Sequence, residues 1–495
     1  MDSGNTGKQR VCQGRAKGSE EEGRAARKAV ILLLLFLMVP GCMIGPNYKR
    51  PVIDIPGSWR VEEEEAKETA DTRWWEQFND PVLNGLIETA LRENKDLKIA
   101  SARVEEFLGY LQTTRAGLFP QVGAGVLGQG MAFTKYSNPP PNPLLVNPGG
   151  DFQMFLSSSW EIDVWGRLRR ATQAARADLL STEEGRRAVI LTVVTGVALA
   201  YTGLRDLDKQ LDIARDTVKS REHSLKLFQL RYGRGLISQL ELSQIESLYQ
   251  AAVATVPLLQ KLIAQAENGL SVLLGHNPGP IPRGKALDQL SFPAIPAGLP
   301  SQLLERRPDI RQAEEDLIAA NARIGVARAA YFPSISLTGL FGLESQSLSS
   351  LFTGPARMWA AGLPITGPIF TAGAIAGTVK SAEAIQQERL VRYEQVIQQA
   401  FGEVDDALID QAKSREQLEA QRKQVEALRI YARLAWKRYE NGYTSYLEVL
   451  DAERSLFDAE LSYAQTQGNL FVAFVNLYTS MGGGWVEAAD RPTGD

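Results

Sequence analysis

Apolar positions along this chain follow two rhythms, and the change from one to the other happens twice. In DFQMFLSSSWEIDV (151–164) Phe152, Met154, Leu156, Trp160, Ile162 and Val164 are apolar. Asp151, Gln153, Ser157, Ser159, Glu161 and Asp163 alternate with them, and Phe155 is the exception. YFPSISLTGLFGLES (331–345) behaves the same way, with Ile335, Leu337, Phe341 and Leu343 set against Ser334, Ser336, Thr338 and Glu344. Period two predicts strands, and the less regular stretches 119–133 and 356–370 are their hairpin partners. Downstream the period lengthens. Val189, Val193, Val197, Ala200, Leu204, Leu207, Leu211, Ala214 and Val218 step by fours and threes, the rhythm of a coiled coil. From Gly166 to about Tyr232 no proline intervenes, which predicts a helix of ~100 Å at ~1.5 Å per residue. A returning helix over about 238–274 follows. In the second half Leu450, Phe457, Leu461, Ala464, Phe471, Val475 and Tyr478 stripe its counterpart.

The recurrence is a tandem repeat. RYGRGLISQLEL (231–242) and RYENGYTSYLEV (438–449) align at an offset of 442 − 235 = 207, which also pairs Gly166 with Gly373 and Gly275 with Gly482. Upstream, 94–120 aligns with 307–333 at 309 − 96 = 213, and both segments end in Phe-Pro (Phe119-Pro120, Phe332-Pro333). The change of offset falls where the first copy carries the Pro/Gly-rich loop SNPPPNPLLVNPGG, a place that tolerates insertion. The expected organisation is a first repeat over 80–275 (helix 80–117, hairpin 119–164, long helix, returning helix). A linker over 276–300 leads to a second repeat over 301–482 (helix 301–330, hairpin 331–370, two helices) and a tail over 483–495. Gly235 and Gly442 are expected as turn residues with positive φ between antiparallel helices.

Composition narrows the function. The 495 residues carry a net charge of −4, which gives no general attraction to nucleic acid. Two cysteines (Cys12, Cys42) and two histidines (His223, His276) leave little for disulfide scaffolds or Cys/His metal sites. Arg24, Arg27 and Lys28 precede the apolar run 29–39, which is shorter than the ~20 residues of a membrane span and fits an export signal over 1–41. Cys42 follows Gly41. It is either a chance cysteine at an ordinary cleavage site or the acylated first residue of a mature lipoprotein, with Pro40 unusual for the latter. On the second reading the segment 42–79 is the lipidated N-terminal part.

Strands with one apolar face, in an exported chain, suggest an outer-membrane barrel. Four strands cannot close a cylinder, and open edges in lipid leave backbone groups unpaired. Several copies must therefore share one barrel, and the residues allow two, three or four. The alternative is a soluble coiled-coil scaffold with two amphipathic hairpins packed on its core.

CMIGPNYKRP, RYENGYTSYLEVLDAERSLFDAE and the duplicated order of helix, two strands, long helix and returning helix resemble the outer-membrane factors (TolC/OprM/NodT type) of bacterial tripartite efflux systems. The resemblance spans about 42–484. It implies an α+β membrane protein, a trimer with a twelve-stranded β-barrel and a periplasmic α-barrel, with 42–79 in an equatorial part. The implied function is a passive duct that works with a periplasmic adaptor and a resistance-nodulation-division transporter. A duct for type I protein secretion is the alternative of the same fold. No enzyme activity and no cofactor are expected, since no nucleophile–base pairing has a supportable spacing.

The resemblance places both glycine turns at the periplasmic tip. Glu241, Glu448 and Asp451 follow them, and Glu448 and Asp451, three apart, share a helix face. In a trimer these become acidic rings at a constriction; otherwise they are solvated charges favoured by the dipole at a helix start. Tyr232 and Tyr439 belong to the same turns, and Tyr439 matches a tyrosine that latches the closed tip in relatives. Thr444 stands where some relatives carry arginine, so the latch would use other contacts. GAGVLG (123–128) fits a dinucleotide pattern but lies in an expected strand, and VEEEEAKETA (61–70) reads as a solvated segment.

Overall fold

The computed structural model describes residues 43–60, 73–132, 134, 136, 149–293, 300–482 and 485–486. The expected signal, Cys12, Cys42 and the acidic run 61–70 lie outside the described residues, as does most of the first hairpin loop. The first repeat comprises α1 (Pro81–Glu93), α2 (Lys95–Ala116), β1 (Gln121–Met131), β2 (Gly149–Glu161), α3 (Arg167–Gly233) and α4 (Gln239–Leu273). The second comprises α5 (Pro300–Arg306), α6 (Pro308–Ala329), β3 (Ser334–Ser345), β4 (Arg357–Gly362), β5 (Ile365–Thr366), α7 (Ala374–Glu440) and α8 (Tyr446–Ser480). Both long helices have 67 residues and both returning helices 35. Their starts keep the repeat register, since 374 − 167 and 446 − 239 both equal 207. Pro257, which has no N–H for the helical ladder, sits inside α4 with its ring exposed.

The chain divides into two compact units, a strand unit (up to Pro46, with Arg115–Thr172 and Ala322–Lys380) and a helix unit formed by the remainder. The strand unit is an antiparallel sheet in the order β1-β2-β3-β4. Its register aligns Ala124 with Leu156, Leu156 with Phe341 and Phe341 with Trp359, so one face carries an apolar row across all four strands. Three residues along the strands, the row Gln121–Ser159–Thr338 on the other face is polar. Phe155, the break in alternation, is accommodated on that second face by its two cross-strand neighbours, Gly125 and Gly342. A Cβ on Gly125 would meet the Phe155 ring at 2.6 Å, and one on Gly342 would lie 2.8 Å from Phe155 Cα. The expected strand 356–370 is split. Pro364 has no N–H to donate to the ladder, so β4 ends at Gly362 and pairing resumes with Ser336 N–H donating to the Pro364 carbonyl (3.0 Å) and then β5. Trp165 stacks on Phe332 (4.7 Å) and donates to the Pro333 carbonyl, while Trp160 donates to Leu118, so indoles cluster where helices give way to strands. Met43 packs on Gly166, and Arg170, 1% exposed, donates to the carbonyls of Ile44 and Gly45.

In the helix unit the expected stripe of α3 turns inward. Ile190, Val193, Val197, Tyr201 and Leu204 pack with Leu83 and Ile87 of α1, Leu270 of α4, and Phe471, Val475 and Tyr478 of α8. Trp74, in the short 3-10 helix Trp74–Phe78, stacks on Tyr478 at 5.4 Å. Asp80 caps α1 and is fully buried. It accepts hydrogen bonds from Val82 N–H (2.9 Å), Tyr201 Oη (2.7 Å) and Lys285 N–H (3.0 Å), tying α1 and α3 to the linker between repeats. Gly284 leaves room for this carboxylate, because a Cβ there would lie 2.1 Å from Asp80 Oδ1. Asp80→Ala leaves three donors without their partner and is expected to lower stability by about 3 kcal/mol, read from guanidinium unfolding followed by tryptophan fluorescence.

Candidate functional site

The two matched turns are Schellman motifs. Gly235 (φ 72°) donates to Tyr232 O at 2.8 Å and Leu236 to Arg231 O at 2.9 Å; Gly442 (φ 76°) donates to Tyr439 O at 3.0 Å and Tyr443 to Arg438 O at 2.9 Å. Positive φ is what lets each long helix stop and the chain reverse, so the glycine expectation holds in both copies. The helices beyond the turns start differently. Ser238 and Glu241 form a capping box, Ser238 N–H donating to the carboxylate (2.9 Å) and Glu241 N–H to Ser238 Oγ (3.3 Å). At the second turn Arg438 (2.7 Å) and the Thr444 hydroxyl hold the Glu448 carboxylate. Asp451, half exposed, pairs with Arg454 at 3.2 Å. The first turns of α4 and α8 lie side by side and enclose an open groove of about 490 Å³, whose lining includes Leu240, Ser243, Leu447, Leu450, Asp451 and Arg454.

Tyr232 and Tyr439, equivalent by the repeat, have different surroundings. Tyr232 is exposed, whereas Tyr439 of α7 stacks on Phe228 of α3 (5.9 Å, 17° between planes) and so bridges the two helical hairpins. Burial and the nearby Glu241 charge push its phenol up, against Arg231. Tyr446 and Trp436 complete an aromatic group with Phe228, at 4.4 and 6.5 Å. The repeat explains the fit. Phe228 and Leu225 correspond at 207 to Ala435 and Ala432, and all four are buried in one cluster, large side chains from one copy against small ones from the other.

Sequence reasoning passed over a polar group behind this cluster. Arg221 of α3, 3% exposed, donates to the carbonyls of Leu248 in α4 (2.9 Å) and Glu453 in α8 (3.4 Å) and lies over the Phe457 ring (5.0 Å). The Glu453 carboxylate accepts from Trp436 Nε1 of α7 at 2.6 Å. Burial lowers the Arg221 guanidinium, with the Glu453 and Asp458 charges acting against it; burial also raises the Glu453 carboxyl, countered by Trp436 and Arg221. The signal was present: Leu211, Ala214, Val218, Arg221, Leu225 and Phe228 continue the four-three stepping, with an arginine on the apolar stripe.

Among the described residues no group of three or more His, Cys, Asp or Glu side chains could hold a metal ion. The described residues thus provide amphipathic strands, long paired helices and turns bearing acid, a combination that accords with outer-membrane efflux proteins. The chain belongs to the outer membrane efflux protein family, which matches residues 86–276 and 299–483. It is 37% identical over 478 residues to the toluene efflux pump outer membrane protein TtgF of Pseudomonas putida, covering 93% of this chain and 98% of that one. It is 36% identical over 459 residues to the cation efflux system protein CusC of Escherichia coli, covering 90% and 97%. The crystal structure of the open state of the Neisseria gonorrhoeae MtrE outer membrane channel superposes with a TM-score of 0.81 at 31% identity, covering 90% of this chain and 99% of that one. The protein is an outer-membrane channel component of an efflux pump.

Glu453 titrates above the ordinary carboxyl value of 4.5 in the folded protein. Its stabilising contribution is therefore complete below about pH 4.5 and is lost as pH rises through the folded value. Heat-dissociation midpoints of wild type and Glu453→Gln, compared from pH 7 down to pH 4.5, are expected to diverge in favour of wild type as pH falls; parallel curves would contradict the assignment.

Proposed function

We propose that three copies of this chain complete a twelve-stranded barrel in the outer membrane, continued by a helical duct in the periplasm. Through it small molecules, supplied by a resistance-nodulation-division transporter and a periplasmic adaptor, leave the cell passively. The observation that carries this reading is the sheet order. Among the described residues β1 pairs only with β2, and β4 only with β3. Backbone groups left open in lipid cost several kcal/mol each, and the smallest such barrels have about eight strands. Setting β1 of one copy beside β4 of the next supplies the missing partners, and three chains of four strands make twelve. The apolar row supports a lipid-facing exterior, since Leu156, Phe341 and Trp359 are 54%, 62% and 78% exposed in the single chain. Trp160 and Trp165 support a membrane–water boundary at the helix–strand junction.

Met43 is docked at Gly166, one residue after Trp165. An acyl chain on the preceding residue, Cys42, would enter the bilayer beside that boundary, which favours the lipoprotein reading of Cys42. At the glycine turns, Leu236, Leu240, Tyr443 and Leu447 are exposed and matched in pairs by the repeat. They offer an apolar surface around the turns that suits an adaptor. Export of toluene and of cations by relatives of nearly equal identity fits a conduit that leaves substrate choice to its transporter.

Glu241, Glu448 and Asp451 are read as acidic rings at the entrance. Arg438 holds the Glu448 carboxylate, 23% exposed, at 2.7 Å, and Glu241 serves its cap. Asp451, 53% exposed on the groove and in a longer pair with Arg454 (3.2 Å), supplies the most available charge. Single-channel currents in planar bilayers test this. The triple Ala substitution is expected to lower cation-over-anion selectivity, with Asp451→Ala giving most of the loss; unchanged selectivity would leave these carboxylates with capping and pairing roles only.

A further inference from the structure

The repeat makes the four helices near the turns almost equivalent in pairs, and the polar group around Arg221 is where that equivalence fails. At the 207 offset Arg221 corresponds to Leu428 and Trp436 to Gln229, so neither partner recurs in the other copy. Glu453 corresponds to Glu246, which is exposed on α4, whereas Glu453 is largely buried. The arrangement occurs once. It also joins all four helices at one level: Arg221 reaches from α3 to the carbonyls of α4 and α8, and the Glu453 side chain reaches from α8 to α7. Apolar packing lies on both sides of it. Leu225, Phe228, Ile245, Tyr446 and Val449 pack toward the turns, and Leu211, Ala214, Leu259 and Phe457 pack on the far side.

An arginine on a coiled-coil stripe is unfavourable for stability alone, since an apolar residue would bury more cheaply there; such residues are kept where they fix register or partner. Once buried, its hydrogen bonds are expensive to lose, because a desolvated charge would remain unsatisfied. Packed apolar surfaces slide more readily than a guanidinium parts from two carbonyls.

We propose that Arg221, Glu453 and Trp436 form a pivot that holds the two helical hairpins of each chain together, confining the opening of the tip to the turns beyond it. The moving segment is then short. From Arg221 to Gly233 the helix runs about 18 Å at ~1.5 Å per residue, and the bulk of each 67-residue helix stays fixed. The Phe228–Tyr439 stack lies within the moving segment, so it can open and close while the pivot holds. Because the pivot ties hairpins within one chain, separation falls between neighbouring chains and at the tipward aromatic group.

This inference rests on the duct reading, and two variants test it in purified trimers. Arg221→Leu restores the apolar residue found at the equivalent position of the second copy. Trp436→Phe removes the indole N–H and keeps a ring. Glu246→Gln, at the exposed counterpart of Glu453 in the first copy, is the control. In planar bilayers Arg221→Leu and Trp436→Phe are expected to raise the open fraction about tenfold or more, while Glu246→Gln stays near wild type. Spin labels at Tyr443→Cys, beyond the pivot, and at Lys423→Cys, on its far side, give the spatial readout. In wild type the distances between copies should spread at position 443 and stay narrow at 423, whereas in Arg221→Leu they should spread at both. A distribution at 423 that stays narrow in Arg221→Leu, or wild-type currents and distances in both variants, would overturn the pivot while leaving the duct intact. A preparation that forms no channel would instead overturn the duct reading and the pivot with it. Should Arg221→Leu not assemble as heat-labile trimers, Trp436→Phe decides alone.

Discussion

The account depends on a requirement of the peptide backbone: in hydrocarbon every N–H and C=O must find a partner, and a strand at the edge of a sheet has none on one side. Among the described residues β2 and β3 are paired on both sides, whereas β1 and β4 are paired on one. The sheet also carries its apolar residues in a row across all four strands, so the face that favours lipid and the edges that cannot tolerate it belong to the same element. On the proposed reading, oligomerisation resolves that conflict by closing the sheet into a cylinder.

Gene-level duplication explains the economy of the fold and also where function enters. Where the copies stay equivalent, they do structural work: helices of equal length, glycine turns of equal φ, apolar pairs exposed at both turns. Where they diverge, they create complementarity. Phe228 packs with Ala435 in one cluster, Tyr439 is stacked while Tyr232 is exposed, and Arg221 stands where the second copy has Leu428. Two identical hairpins would meet through identical surfaces. Divergence gives each chain a contact between its own two hairpins that a pair of identical hairpins could not make.

Much of this was legible in the sequence, and the reasons are physical. Period-two and four-three stepping located β2, β3, α3 and α8, because burial on one face imposes a spacing that survives without any tertiary knowledge. The glycine turns were legible because positive φ has few residue solutions. Three features were not. Pro364 splits the last strand, a consequence of which backbone donor the ladder needs at that position. Phe155 broke the alternation because its space comes from Gly125 and Gly342 on two other strands, information that is nonlocal by nature. The polar group at Arg221 was concealed since the partners of Arg221 are two backbone carbonyls, which every residue possesses, one of them more than two hundred positions away.

The central claim concerns how many chains share one sheet. Sedimentation equilibrium of the mature protein in density-matched detergent measures that number directly. The account predicts particles of three chains that need surfactant to stay in solution. A single-chain particle, stable in plain buffer with β1 and β4 both unpaired, would contradict it.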